Sequence, residues 1–109
     1  MITVEDFQRV EMRVGRIVRV EDFPQARKPS YRLLIDFGPH GVRRSSAAIR
    51  PFYTREELLG RQVVAVTNFP PRRIAGFESE VLVLGAVQDD GRVVLLRPDA
   101  EAELGARIA

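Results

Sequence analysis

The chain has no cysteine. Disulfides and thiolate metal sites are therefore excluded, and the absence fits a reducing compartment. Only one histidine is present, His40, and it stands in the Gly38-Pro39-His40-Gly41 turn with no acidic neighbour to orient it. A free turn histidine is read as surface rather than as a catalytic base. No glycine-rich phosphate cradle is found. No apolar run approaches the ~18 residues that a membrane span needs. The opening Met1–Asp6 has neither a basic n-region nor an apolar h-region, so no signal peptide is expected and a cytoplasmic location is. The paired acids Asp89-Asp90 and Glu56-Glu57 are explained by a hairpin turn and a helix start, not by a metal site. No nucleophile–base set is visible. An enzyme is not expected, and no metal or cofactor is called for.

What is present is a soluble-protein composition, 45% apolar and 29% charged, over 109 residues. That length suits one domain spanning 1–109, with a core over about 10–97 and termini free for contacts with a second subunit. The net charge is only +2, but it is unevenly placed: residues 27–73 hold ten basic and three acidic side chains. A basic middle between acidic flanks points to an electropositive face, with a solvated arginine-rich surface as the bland alternative.

Thr3 and Asp6 form a capping box for a short opening helix that places Val4 and Phe7 on one face. Residues 12–20 alternate as a strand, with Met12, Val14, Val18 and Val20 on one face and Gly15 as a point of bulge or sharp bend. Tyr31 to Phe37 alternates as a second strand, and Val42 to Ala48 forms a weaker third. Thr54 and Glu57 cap a short helix that ends at Gly60. Gln62 to Phe69 and Val81 to Val87 are apolar enough to be buried strands. Asp89-Asp90-Gly91 turns the chain into a last strand over Arg92–Leu96. The tail from Pro98 is mostly polar but ends on Ile108. The fold class is all-β. Five strands, with a short helix between the third and fourth, give the layout of the OB-fold, a Greek-key barrel that binds oligonucleotides on its strand 2–3 face. A short N-terminal helix and a C-terminal extension are added to it, and an SH3-like barrel is the rival.

The stretch Asn68–Ser79 reads as a stiff loop. Pro70 and Pro71 end the preceding strand, Arg72 and Arg73 follow, and Gly76 permits a turn beside Ile74 and Phe77. Arg27, Lys28, Arg32, Arg43, Arg44, Arg72 and Arg73 are the candidate phosphate contacts. Ser45, Ser46, Asn68 and Ser79 either donate to phosphate or 2′-hydroxyl groups or close turns. Among the aromatics, Phe77 is the best candidate for an exposed ring, Phe52 and Tyr53 lie beside the basic region, and Tyr31 and Phe69 are assigned to the core. The apolar face of the opening helix (Val4, Phe7) and Ile108 either close the chain's own core or meet a second subunit.

Asp6-Phe7, Met12–Ile17, Ala26-Arg27-Lys28, Ile35–Gly38, Glu56–Arg61 and Asn68–Ser79 together resemble the tRNA-binding OB-fold domain appended to some methionyl- and phenylalanyl-tRNA synthetases. Asp22–Pro29, Ser45-Ser46-Ala47 and Asn68–Phe77 are more narrowly similar to the CsaA family of export-related chaperones. The resemblance implies a homodimer with affinity for tRNA, for unfolded or presecretory polypeptide, or for both. It carries RNA-binding roles onto Asn68, Arg72 and Ser79. In the polypeptide alternative, Ile74 and Phe77, with Phe52 and Tyr53, line an apolar pocket. Two places depart from the synthetase-appended pattern: Ser45–Ile49 has no glycine, and Glu80-Val81-Leu82 follows Ser79.

Overall fold

Strand β1 (Met12–Asp22) is the axis on which the other elements are hung, in a computed structural model that describes all 109 residues. Its first half pairs antiparallel with β4 (Gln62–Val66), and its second half with β2 (Tyr31–Asp36). β3 (Val42–Ala47) lies outside β2, and β7 (Leu82–Val83) outside β4, so the sheet order is β3-β2-β1-β4-β7. Its two ends nearly meet. The Glu80 N–H donates to the Arg44 carbonyl at 2.8 Å, and the buried Ser45 hydroxyl donates to the Val81 carbonyl at 3.1 Å. The result is the expected OB-type barrel, with helix α2 (Arg55–Leu58) between β3 and β4.

The core follows the side-chain period of two. Tyr31, Leu33 and Ile35 point inward from β2, while Arg32, Leu34 and Asp36 stay half-buried on the outer face. All five residues of β4 are buried, Val63–Val66 as their apolar run predicts and Gln62 through its side-chain bonds to Ala102, but the strand stops at Val66 and Phe69, assigned to the core, stands 47% exposed. β1 departs from the simple alternation. Its register slips between Ile17 and Arg19, so Val18 is the extra residue and stands 44% exposed, whereas Ile17 is fully buried. The slip leaves the Ile17 backbone free to pair with the end of α2: its N–H donates to the Arg61 carbonyl, and its carbonyl accepts from the Gly60 N–H. Val18 is thus not a core residue, and Gly15 is not the bulge. Gly15 instead permits close packing, since a Cβ there would lie 2.5 Å from Ile35 Cγ2 and 2.7 Å from Phe37 Cε1.

Both predicted capping boxes are present, at Thr3/Asp6 for α1 (Val4–Arg9) and at Thr54/Glu57 for α2. The expected strand over 81–87 is broken at Leu84. β7 stays on β4, while β8 (Gly85–Val87) turns away to pair with β9 (Val93–Leu95) across the Asp89–Gly91 turn. The stretch expected as a loop holds a hairpin, β5 (Arg72–Ile74) with β6 (Phe77–Ser79). Its two turn residues, Ala75 and Gly76, have φ of 47° and 82°. Two successive positive φ values match the twist of a tight hairpin.

The tail adds a short extra strand to the edge of β1 that β2 leaves free. Gly105 donates to the Val14 carbonyl, Val14 to the Ala106 carbonyl and Ile108 to the Met12 carbonyl, at 2.8–2.9 Å. The Gln62 side chain holds the Ala102 backbone by both its amide groups. No helix is long and apolar enough to cross a membrane.

Candidate nucleic-acid interface

The hairpin β5–β6 is fastened to the barrel by charge and aromatic contacts more than by apolar packing. The Phe77 ring meets Phe23 edge-on, with centroids 5.5 Å apart. The Arg32 guanidinium lies over both rings, 5.1 Å from Phe23 and 5.8 Å from Phe77, and Arg44 lies 5.7 Å from Phe77. Glu78 bridges Arg44 and Arg73 at 3.6 Å each, and Glu80 takes Arg44 a second time at 3.4 Å. Phe77 is consequently half-buried. The expectation of an exposed ring is corrected: the register that pairs Arg73 with Glu78 turns Phe77 toward the outer face of β2 and β3.

Beside this hairpin runs a groove of about 710 Å³. Its floor is aliphatic, made by Ala47, Ile49, Ile74, Leu82, Val83 and Leu95, and its rim carries Arg27, Lys28, Arg72 and Arg73. Arg27, Lys28 and Arg72 are exposed, and none of the chain's eight ion pairs involves them. The chain therefore brings three uncompensated cations to one apolar cleft, with a fourth, Arg73, shared with Glu78. Like charges held together without acids raise the local potential and draw in polyanions.

Of the residues singled out in the sequence, Arg27, Lys28, Ser46, Arg72, Arg73 and Ile74 line this groove. Arg32 lies just outside it, on the strand next to Ser46. Arg44 is held by the two glutamates, and Arg43 sits on the other side of β3 by the alternation of that strand. Ser45 and Ser79 are buried. The Ser79 hydroxyl accepts from the Ser46 N–H at 3.0 Å, so both hydroxyls join β3 to the segment that closes the barrel. Asn68 joins α1 to the end of β4: its carbonyl accepts from the Glu11 N–H at 2.9 Å, and its amide donates to the Arg9 carbonyl at 2.8 Å. For these three residues the geometry favours the turn-and-closure role over ligand contact.

Phe52 and Tyr53 line a different depression, with Asp22 and Arg50. The Tyr53 hydroxyl accepts from the Leu95 N–H at 3.0 Å, and its ring lies under Arg61. The four apolar residues grouped as one peptide pocket are thus dispersed, and only Ile74 reaches the groove. Sequence reasoning missed the rest of the floor, Ala47 and Ile49 as well as Leu82, Val83 and Leu95. The signal for the last three was the break at Leu84, which no local pattern announces. The two carboxylates held below the usual range lie elsewhere. Glu11 is lowered chiefly by the Arg13 side chain hydrogen-bonded to it, and Glu57 by the Thr54 N–H and hydroxyl at the helix cap.

The residues expected at a subunit contact do converge. Val4, Phe7 and Ile108 line a concavity of about 540 Å³ between α1 and the tail. Arg107 ties the two by donating to the Gln8 carbonyl at 2.8 Å. No residue of α1 is buried, so its apolar face is uncovered.

A family described as a putative tRNA binding domain matches residues 12–107. The methionine–tRNA ligase of Thermococcus onnurineus is 43% identical over 108 residues, which is 98% of this chain and 14% of that enzyme. The chain thus spans about a seventh of the length of the curated relatives it matches. Among solved structures, chaperone CsaA of Bacillus anthracis superposes with a TM-score of 0.95 at 50% identity, covering 100% of this chain and 99% of that one. The CsaA chaperone protein of Picrophilus torridus gives 0.93 at 51%, covering 100% of each.

Proposed function

Because the chain belongs to the putative tRNA-binding domain family, we propose that it binds structured RNA, tRNA first, on the cationic rim of the groove, and that it does so without catalysis. Residues 1–109 act as one binding unit in this reading, and a cytoplasmic location follows from where tRNA is found. The observation that supports it most is the meeting of Arg27, Lys28 and Arg72, all without acidic partners, at one cleft. Arginine and lysine on phosphate release condensed counterions, so affinity must fall with salt. With four rim cations engaged, log affinity against log salt is expected to have a slope of about −3 to −4. Fluorescence anisotropy of a labelled tRNA across a salt series measures it, and a flat response would refute the proposal.

A second reading has its own support. The groove floor is aliphatic and holds no aromatic ring on which a base could stack. Such a floor suits the apolar side chains of an unfolded or presecretory polypeptide, and two of the similar solved structures are CsaA chaperones. Suppression of client aggregation, lost on Ile74→Asp and kept when the rim cations are removed, would favour polypeptide over RNA.

The chain is also proposed to work as a homodimer. The support is the uncovered apolar face of α1, joined by Ile108 in one concavity. A centrally placed aromatic at such a contact is worth about 2 kcal/mol or more. Phe7→Asp is therefore expected to shift the protein from twice the subunit mass to a single subunit at micromolar concentration, as read by light scattering. A wild-type protein already monomeric there would contradict the proposal.

A further inference from the structure

Arg32 is held in a setting that no other cation of the chain shares. It is half-buried on the outer face of β2, with its guanidinium over the rings of Phe23 and Phe77. Its Nε is the one buried side-chain polar atom without a hydrogen-bond partner. No carboxylate lies within ion-pair distance of it, although Glu78 and Glu80 engage the neighbouring Arg44. Taking a cation half out of water is costly unless it is paired. Aromatic faces offset part of that cost but accept no conventional hydrogen bond. The buried Nε edge of the guanidinium is therefore held over two rings, while its two terminal amino groups are reached by solvent and make no hydrogen bond within the chain. A planar fork so restrained matches the bidentate geometry of a phosphate, which a lysine ammonium does not.

The location fits the same ligand as the groove. Arg32 stands opposite Ser46 in the β2–β3 ladder, and Ser46 lines the groove edge. We infer that Arg32 is a preset fork for one backbone phosphate of the bound RNA, positioned by Phe23 and Phe77. This rests on the RNA-binding reading and deepens it. Exposed rim cations attract the polyanion from a distance, whereas Arg32 fixes where one phosphate sits.

The test is tRNA binding by the 109-residue chain across a salt series, for wild type, Arg32→Gln and Arg32→Lys. Glutamine retains part of the aliphatic stem over Phe23, and the thermal midpoint of each variant checks that the fold is kept. Arg32→Gln is expected to reduce the steepness of the salt slope by about 1 and to weaken binding about tenfold. Arg32→Lys keeps the charge, and with it the slope, but loses the fork and is expected to bind at least about fivefold more weakly. Lysine binding as tightly as arginine would overturn the inference. So would an Arg32→Gln variant with the wild-type slope, because a residue that only pins the hairpin contributes no released counterion. Wild-type protein with no salt-dependent binding would sink the RNA reading itself, an outcome distinct from failure of the Arg32 variants alone.

Discussion

A variant with Arg27, Lys28 and Arg72 all changed to alanine is expected to bind tRNA about a hundredfold more weakly than wild type near physiological salt. Each phosphate neutralised adds about 0.9 to the salt slope, which at ~0.15 M corresponds to roughly fivefold in affinity per contact. Three such contacts multiply to about a hundredfold, and the slope should flatten by close to three. The three side chains are exposed and outside every ion pair, so their removal leaves the fold without a lost partner. Arg73 and Arg44 are poorer targets. Each already neutralises Glu78, so its loss would free an acid that itself repels RNA. Removing Arg44 would also disturb the fastening of the hairpin through Phe77. A triple variant that binds tRNA within a few-fold of wild type would show that the groove rim is not the interface.

The parts of this architecture that sequence reasoning reached are those set by neighbours in the chain. Thr3 with Asp6 and Thr54 with Glu57 are three residues apart, and each pair forms its box as read. The alternation Tyr31, Leu33, Ile35 needs only the pleat of its own strand. The parts that were missed depend on a partner distant in sequence. Val18 belongs to the core face by period, and only the pairing of β1 with β2 and with the end of α2 shows that the period is reset there. The β5–β6 hairpin is the exception, since its partners are near neighbours: prolines at 70 and 71 mark the end of a strand, and an alanine at the first positive-φ turn position, where asparagine, aspartate or glycine is usual, hides the turn. The same holds for the site. The clustering of basic residues was legible as composition. Which of them are free was not, because the pairing of Arg44 and Arg73 with Glu78 follows from the hairpin register and from its docking on β3. The roles of Ser45, Ser79 and Asn68 were left between ligand contact and closure. Hydrogen bonds spanning 36, 33 and 57–59 residues give each a closing role, with Ser45 and Ser79 buried and Asn68 still exposed.

Phe37→Ala is expected to destabilise the fold by about 3–5 kcal/mol, the range for removing a large buried ring. Phe37 is fully buried, at the point where the end of β2, Gly15 of β1 and the C-terminal tail meet. The ring fills the space that glycine leaves at position 15, and its backbone carbonyl sits where a Cβ on Gly105 would come, at 2.6 Å. With the Gly15 backbone against one side of the ring and the buried core around the rest, the vacated volume can collapse little, which argues for the upper part of the range. For a chain of this size the loss corresponds to a fall of roughly 15–30 °C in thermal midpoint. It is also a large share of the ~5–15 kcal/mol that holds a typical domain folded. Urea unfolding followed by circular dichroism measures it, and a loss below about 1 kcal/mol would show that the site repacks. Phe37 lines no part of the groove, so tRNA affinity per folded molecule should stay at the wild-type value in the cold. Gly15→Ala tests the packing from the other side. Its Cβ clashes with both Ile35 and Phe37 in the wild type, but only with Ile35 once the ring is gone. The double variant should therefore lose less stability than the sum of the two single ones, a coupling expected of residues that share one space.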